Sequence, residues 1–292
     1  MRSLVLLFFM AWPSLGMAQD KLKIVTTFSV LADMVQHVAG PSAEVVSITK
    51  RGAEIHGYRP TPQDIVQTLD ADLVFSNGLN LEGWFNQFLR HIGDVPTVTL
   101  TNGLEPLFVS GSRSEDAANP HAWMSFEHVS LYIDNIVEGL VQIDPFRSET
   151  YRQNGDAYLA TLAAALEPLK AKLDSVPTSQ RWLVSCEGAF GYLAQDLGLQ
   201  ELYIWPMNAE QNGTPDQMRN VIDVVRQQDI PVVFCESTIS PDPALQIARE
   251  TGARYGGVLY VDTLTSADGP APTYYDLMVG TVTLIVEELT RE

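Results

Sequence analysis

The sequence predicts an α/β protein in which two lobes of parallel-sheet βα units are joined by one long linking helix. Short apolar runs alternate with amphipathic stretches on both sides of the middle of the chain, an order typical of parallel sheets covered on both faces. Between the two halves, apolar residues recur at helical spacing. We therefore expect residues 19–143 and 178–292 to form the lobes and residues 144–177 to form the linking helix.

The first residues have the pattern of an export signal. Arg2 precedes an apolar run from Leu4 to Trp12, and Gly16-Met17-Ala18 offers a small-x-small cleavage site. The run is too short to span a bilayer, no later stretch is long and apolar enough, and no Cys lies near the cleavage site. We expect cleavage after Ala18 and an exported protein without a lipid anchor or membrane insertion.

Composition limits the partners that the chain can have. The formal net charge is −18, and removal of residues 1–18 takes away one Arg and no acid, which leaves −19. Such an acidic chain is not expected to bind nucleic acid, whereas it suits a cationic ligand. The 46% apolar content of 292 residues is enough for a large core.

The N-terminal half contains four predicted strands and four predicted helices. Apolar, β-branched runs predict the strands, which are Leu22 to Thr27, Glu44 to Ile48, Leu73 to Ser76 and Val95 to Leu100. Helical periodicity predicts the helices, which run from about Leu31 to Val38, from Thr61-Pro62-Asp64 onward, from Glu82 to His91 and from Glu127 to Val141. His56 lies in the loop just before the Thr61 helix start.

The linking helix is predicted from Asp144 to about Val176. Asp144 can cap its N-terminus, and Pro145 suits the first helical position because the missing N–H has no partner there. Pro168 is expected to kink the helix or divide it. The apolar stripe consists of Tyr151, Tyr158, Leu162, Leu166, Leu169, Leu173 and Val176. A coiled-coil dimer arm is the alternative, but too few heptads follow for it, and we expect a monomer.

The second half repeats the βα pattern. The predicted strands are Trp182 to Ser185, Leu202 to Trp205, Val232 to Cys235, and Val258 to Val261, which ends at Asp262. The predicted helices follow Cys186-Glu187-Gly188 through Leu193, run from Thr214-Pro215-Asp216 to about Gln227, and span Pro241 to Thr251 and Tyr274 to Leu289. Ligands of such sheets bind beyond the carboxyl ends of the strands, so two facing sheets would form a binding cleft.

Four side chains stand where a strand or loop meets a helix: His56, His121, Glu187 and Asp262. Two imidazoles and two carboxylates make a shell suited to a divalent metal. Spacing alone is weak evidence, since no HExxH or CxxC pattern is present: taken singly, each histidine could be a solvated loop residue and each carboxylate could stabilise a helix end or cap a turn. The remaining histidines lie on predicted helices, where the helix dipole or an amphipathic face accounts for them: His37, His91 and His128.

Several phrases in a fixed order resemble one known family. They are EIHGYRPTPQD, NGLNLEGWF, NPHAWMS, SCEGAFGYLA, NGTPDQ, FCESTIS and LYVD. From about Leu22 to the C-terminus the chain is similar to the periplasmic metal-binding proteins of ABC importers for manganese, zinc or iron. The resemblance implies two α/β lobes, a single linking helix, and a metal bound in the cleft between the lobes by His56, His121, Glu187 and Asp262.

The resemblance also carries expectations about the metal and the partners. Zinc-type members have His where this chain has Glu187, and often a His-rich loop where Ser110 to Asn119 has none. Mn²⁺ is therefore the expected ligand, with Fe²⁺ or Zn²⁺ as alternatives. The expected partners are an inner-membrane permease and its cytoplasmic ATPase. Arg59 departs from many relatives, which have an acid there.

Two other functions remain open from the sequence. An exported metal-dependent hydrolase would use the same cleft, with Glu236 as the one carboxylate suited to act as a base. An adhesin would use the cleft only as structure. The chain contains no GxSxG, P-loop or GxGxxG motif, and we do not expect an enzyme.

The two cysteines of the chain are Cys186 and Cys235. Each ends an apolar strand and precedes a Glu, so their strands are expected to lie side by side, with Cα atoms about 4.8 Å apart. Export permits a disulfide. A bridge between the two and a pair of buried free thiols are both compatible with the sequence.

Overall fold

The computed structural model describes residues 21–85, 87–88, 95–110, 117–207 and 213–291. The strands are β1 Leu22–Thr26, β2 Ala43–Ser47, β3 Leu73–Ser76, β4 Thr97–Thr99, β5 Trp182–Glu187, β6 Gln200–Trp205, β7 Val232–Glu236 and β8 Arg254–Leu259. The helices are α1 Ser29–Ala39, α2 Pro62–Thr68, α3 Val129–Ile143, α4 Ser148–Lys172, α5 Gly191–Leu197, α6 Pro215–Gln227, α7 Asp242–Thr251 and α8 Tyr274–Leu289. The predicted export signal lies outside these residues, as does part of the predicted helix from Glu82 to His91.

The first half contains a parallel four-stranded sheet in the order β2-β1-β3-β4. Ile24 in β1 pairs with Val45 on one side and with Leu73 on the other. All four residues of β3 are buried, which explains why this strand reads as a continuous apolar run. Helix α1 packs on β1 and β2, and α3 packs on β3 and β4.

The second half contains two parallel pairs, β5 with β6 and β7 with β8. Strands β5 and β7 lie side by side, and a disulfide joins Cys186 to Cys235 across them with a Cα–Cα distance of 5.0 Å. Among the described residues, no helix combines the length and hydropathy that a membrane span requires.

The predicted last strand was misplaced. We expected Val258 to Val261, whereas β8 runs from Arg254 to Leu259 and Asp262 lies in the loop beyond it. The first part of β8 was not predicted because Gly256 and Gly257 lower the strand propensity of this segment. A Cβ at Gly256 would lie 2.4 Å from the Phe234 ring, so close packing between β7 and β8 requires glycine there.

The linking helix α4 has 25 residues and is about 37 Å long. The predicted stripe is buried, although Leu169 is only partly so. The helix ends at Lys172, earlier than predicted, and Leu173 and Val176 are buried beyond that end, in and after the 3-10 turn Leu173–Ser175. The helix packs on α1 and α3 of the first half and on α8 of the second, so it contacts both halves. It continues through Pro168 without division.

The predicted cap of this helix is wrong. Asp144 directly follows the last residue of α3, and a short 3-10 turn, Pro145–Arg147, separates it from α4. The Asp144 carboxylate accepts a hydrogen bond from the Arg147 guanidinium and one of 2.9 Å from the Tyr151 hydroxyl. These side-chain donors replace the backbone N–H groups that a cap would bind.

Candidate metal site

Four segments bring the predicted site residues to one place. His56 lies in the loop after β2, and His121 precedes a single 3-10 turn, Ala122–Met124. Glu187 is the last residue of β5, and Asp262 lies three residues beyond β8. The segments at the ends of β5 and β8 therefore meet the loops that carry His56 and His121. The meeting point lies beyond the carboxyl ends of parallel strands, where the topology predicts a ligand site.

The donor atoms of these residues all lie within 4.8 Å of one another. His56 Nε2 is 3.2 Å from His121 Nε2 and 3.3 Å from Glu187 Oε1. Asp262 Oδ1 is 4.0 Å from the first of these nitrogens and 3.8 Å from the second. A cation about 2.0–2.3 Å from each donor requires donors about 3–4.6 Å apart, so these separations fit one ion.

Burial gives the site its electrostatic character. The side chain of His56 is 3% exposed, and those of His121, Glu187 and Asp262 are fully buried. Burial lowers the pKa of His56 to about 4. Burial, with a contribution from His56, lowers the pKa of His121 well below its usual value. Both imidazoles are therefore neutral near pH 7, the form in which histidine binds metal.

Asp262 is oriented by a single neighbouring hydroxyl. Thr238 donates to Asp262 Oδ2 at 3.3 Å, whereas Asp262 Oδ1 is buried and accepts no hydrogen bond from any residue that the structure describes. Burial, followed by the charges of Glu54 and Glu236, raises the pKa of Asp262 well above its usual value. A buried carboxylate oxygen that faces two imidazoles without a donor is in the environment of a metal ligand.

Glu236 has a structural contact next to the site. Its Oε1 accepts the backbone N–H of Glu187 at 3.1 Å, which links the ends of β5 and β7 beside the disulfide. Burial raises the pKa of Glu236 to about 8. The carboxyl is therefore largely protonated at pH 7 and poorly suited to act as a base.

Hydrogen bonds fix both ends of the loop that carries His56. Asp64 Oδ2 accepts hydrogen bonds from Tyr58 Oη at 2.9 Å and from the Thr61 backbone N–H at 2.6 Å. The Gly52 N–H donates to Thr263 Oγ1 at 2.8 Å, which connects the loop to the segment carrying Asp262. Thr61 and Asp64 form the capping box of α2, as the predicted helix start required.

Sequence reasoning missed the residues that support the ligands. Asn119 accepts a hydrogen bond from His121 Nδ1 at 2.7 Å, and Trp123 Nε1 donates to the Val261 carbonyl at 3.0 Å. An Asn two positions before a candidate ligand was the available signal. The other histidines lie elsewhere: His37 contacts Asp33, His128 contacts Ser125, and His91 is outside the described residues.

Relatives of known role match nearly the whole chain. The ZnuA family model, zinc-uptake complex component A, periplasmic, matches residues 24–288. The iron-binding protein YfeA of Yersinia pestis is 52% identical over 267 residues, covering 91% of this chain and 86% of YfeA. The manganese ABC transporter substrate-binding lipoprotein PsaA of Streptococcus pneumoniae is 30% identical over 281 residues, covering 94% and 91%.

A solved structure agrees with the fold. The Mn-bound periplasmic metal binding protein from Candidatus Liberibacter asiaticus has a TM-score of 0.85 and 38% identity, covering 92% of this chain and 100% of that one. The predicted α/β fold class is confirmed, and the chain belongs to the ZnuA family of periplasmic metal-binding proteins.

Proposed function

We propose that this protein is the periplasmic substrate-binding component of an ABC importer and carries one divalent transition-metal ion at His56, His121, Glu187 and Asp262. One observation carries the proposal. Four buried donors from separate segments converge within 4.8 Å, and two of them are carboxylates. Their two negative charges balance a divalent cation, which offsets the cost of burying them.

The donor set favours Mn²⁺ or Fe²⁺ as the cargo. Zinc prefers four-coordinate shells rich in nitrogen and sulfur, whereas manganese accepts more carboxylate oxygen and higher coordination numbers. A carboxylate can bind an ion through one or both oxygens, which permits coordination numbers above four. YfeA is named as an iron-binding protein and PsaA as a manganese transporter component, which supports the same choice.

A competition titration tests the site. Purified protein is stripped with a chelator and titrated with Mn²⁺ against a coloured chelator of known affinity. We expect one ion per chain, and an affinity at least 10–100-fold lower in His56→Ala or Asp262→Ala. His128→Gln, which changes a histidine outside the site, is the matched control. Wild-type affinity in the alanine variants would remove these residues from the metal shell.

The hydrolase alternative lacks support in the geometry. Glu236, the carboxylate considered as its base, accepts the Glu187 N–H and has a pKa raised to about 8. Four protein ligands also leave little room for a metal-bound water. Assay of the metal-loaded protein against ester and phosphoester substrates should show no turnover above that of the Asp262→Ala variant.

The role of a substrate-binding component also implies export of the protein and a permease as its partner. Delivery to a permease and its ATPase requires the protein to act outside the inner membrane. PsaA is named a lipoprotein, so the mode of attachment of this chain needs its own measurement. The mass of the mature protein decides it: a chain that begins at Gln19 without a lipid agrees with cleavage after Ala18.

A further inference from the structure

The segment from Asn119 to Trp123 carries one ligand and contacts the backbone beside two others. Asn119 Nδ2 donates to the Gly188 carbonyl at 3.0 Å, and Gly188 directly follows Glu187. Trp123 Nε1 donates to the carbonyl of Val261, which directly precedes Asp262. His121 lies between these two residues, so hydrogen bonds from its own segment reach the chain next to both carboxylate ligands.

The orientation of the Asn119 amide follows from its neighbours. A backbone N–H can only donate, and a backbone carbonyl can only accept. The His121 N–H lies 3.1 Å from one amide atom and the Gly188 carbonyl lies 3.0 Å from the other, so the first atom is Oδ1 and the second is Nδ2.

This orientation determines which nitrogen of His121 carries the proton. Asn119 Oδ1 lies 2.7 Å from His121 Nδ1 and is an acceptor, so Nδ1 must carry the hydrogen. In a neutral imidazole the proton on Nδ1 leaves the lone pair on Nε2, the atom that faces His56, Glu187 and Asp262.

Resting on the function proposed above, we propose that Asn119 is a positioning residue: it holds His121 in the metal-binding tautomer and ties it to the end of β5 that carries Glu187. The backbone groups of Asn119 are hydrogen-bonded separately from its side chain: the N–H donates to Leu107 O, and the carbonyl accepts the Tyr192 hydroxyl at 2.9 Å. Asn119 is 3% exposed, so water does not compete for these bonds.

The Asn119 amide can both accept from His121 Nδ1 and donate to the Gly188 carbonyl, whereas a carboxylate can only accept. Asp at position 119 could still accept from His121 Nδ1, but its second oxygen would face the Gly188 carbonyl with no proton to donate. Ala removes both contacts. The two variants therefore separate the effect on the tautomer from the effect on the link to β5.

Tyr192→Phe is the matched control. It removes a hydroxyl that donates to the Asn119 carbonyl and accepts the Leu107 N–H at 3.0 Å, both of which connect the two halves without contacting an imidazole. If Asn119 served only to join the two halves, Tyr192→Phe would lose as much Mn²⁺ affinity as Asn119→Ala.

The experiment combines Mn²⁺ competition titration with long-range ¹⁵N–¹H NMR of the metal-free protein at pH 7.5. The His121 signals are assigned by their loss in His121→Gln. We expect the Nδ1–H tautomer in wild type, Tyr192→Phe and Asn119→Asp, and its loss in Asn119→Ala, whose Mn²⁺ affinity falls about 10–100-fold. Tyr192→Phe should keep its affinity within about threefold.

Three results would overturn the proposal. They are an Nε2–H tautomer of His121 in wild type, wild-type affinity in Asn119→Ala, and an equal loss of affinity in Tyr192→Phe. The wild-type spectrum decides the point even if Asn119→Ala does not fold. Failure of the proposed function gives a different result, in which wild type itself does not bind Mn²⁺ while the tautomer is unchanged.

Discussion

Within the proposed site, Glu187 is the residue on which we expect the choice of metal to depend. It contributes a carboxylate oxygen 3.3 Å from His56 Nε2, at the position where zinc-type relatives are expected to have His. Changing it to His converts a shell of two imidazoles and two carboxylates into one of three imidazoles and one carboxylate. Nitrogen-rich, four-coordinate shells suit Zn²⁺ better than Mn²⁺.

We expect Glu187→His to lower the ratio of the Zn²⁺ to the Mn²⁺ dissociation constant by about tenfold or more, which is the lower end of the effect of changing a residue that supports a metal ligand. Both constants are measured by competition in wild type and variant. The ratio is the useful quantity, because the Irving–Williams order lets Zn²⁺ bind many sites more tightly in absolute terms. An unchanged ratio would show that Glu187 does not determine selectivity. His128→Gln, which changes a histidine outside the site, is the control and should leave the ratio unchanged.

The four side chains that meet at the candidate site could be chosen from the sequence, but the residues that support them could not. A histidine or carboxylate at a strand end is visible in a sequence, and the family resemblance selected His56, His121, Glu187 and Asp262. The contact of Asn119 with Gly188 joins residues 69 positions apart, and that of Trp123 with Val261 joins residues 138 apart. Only the folded chain reveals which long-range partner a polar side chain binds.

At the scale of elements, periodicity predicted strands and helices wherever local preference and tertiary packing agree. Helix α8 matches its prediction at both ends, because Thr273 caps it and its apolar face is buried. Strand β8 was misplaced because two glycines weaken its pattern while allowing close packing on Phe234. The predicted role of Asp144 as a helix cap was wrong because tertiary contacts outweighed local preference. The side chains of Arg147 and Tyr151 donate to its carboxylate instead.

Helices α1, α4 and α8 meet at a polar contact centred on Asp33. Its Oδ2 accepts the Tyr274 N–H at 2.9 Å and lies 3.4 Å from both the Tyr158 hydroxyl and His37 Nδ1. The His37 ring stacks on Tyr158 with centroids 4.4 Å apart. The hydrogen bond to Asp33 is the main reason that the pKa of His37 is raised above 6.5.

This raised pKa predicts a pH-dependent contribution to stability. The contribution of His37 is fully present below its unfolded-state pKa, near 6.5, and is lost as the pH rises through the higher folded-state value. The side chain is 42% exposed, so we expect only about 0.2–0.5 kcal/mol. Urea unfolding should show that His37→Gln destabilises the protein more at pH 5.5 than at pH 8.5.

Asp33→Asn supplies the control for that measurement. It keeps an oxygen that can accept hydrogen bonds while removing the charge that favours protonated His37. In this background, the cost of His37→Gln should no longer depend on pH. A pH dependence of the same size in both backgrounds would assign it to a group other than the His37–Asp33 pair.

Over the whole molecule, the residues of the proposed metal site and helix α4 connect the same two halves. The first half supplies His56 and His121, and the second supplies Glu187 and Asp262. Helix α4 packs on α1 and α3 in one half and on α8 in the other. An ion bound by all four residues therefore requires both halves to be folded, and its binding energy stabilises the chain as one unit.

Thermal unfolding with and without metal tests this coupling. An ion at 100 times its dissociation constant adds about 2.7 kcal/mol to the free energy of unfolding, which raises Tm by roughly 5–10 °C for a chain of this size. Calorimetry on chelator-stripped wild type should show one transition that moves upward as a whole when Mn²⁺ is added. At the same concentration, Asp262→Ala should gain at most about 0.4–1.4 kcal/mol, because its affinity is expected to be at least 10–100-fold lower. Comparing each variant with and without Mn²⁺ cancels any direct effect of the substitution on stability. If Mn²⁺ instead splits the transition and raises only one part, the halves unfold independently and neither α4 nor the site couples them.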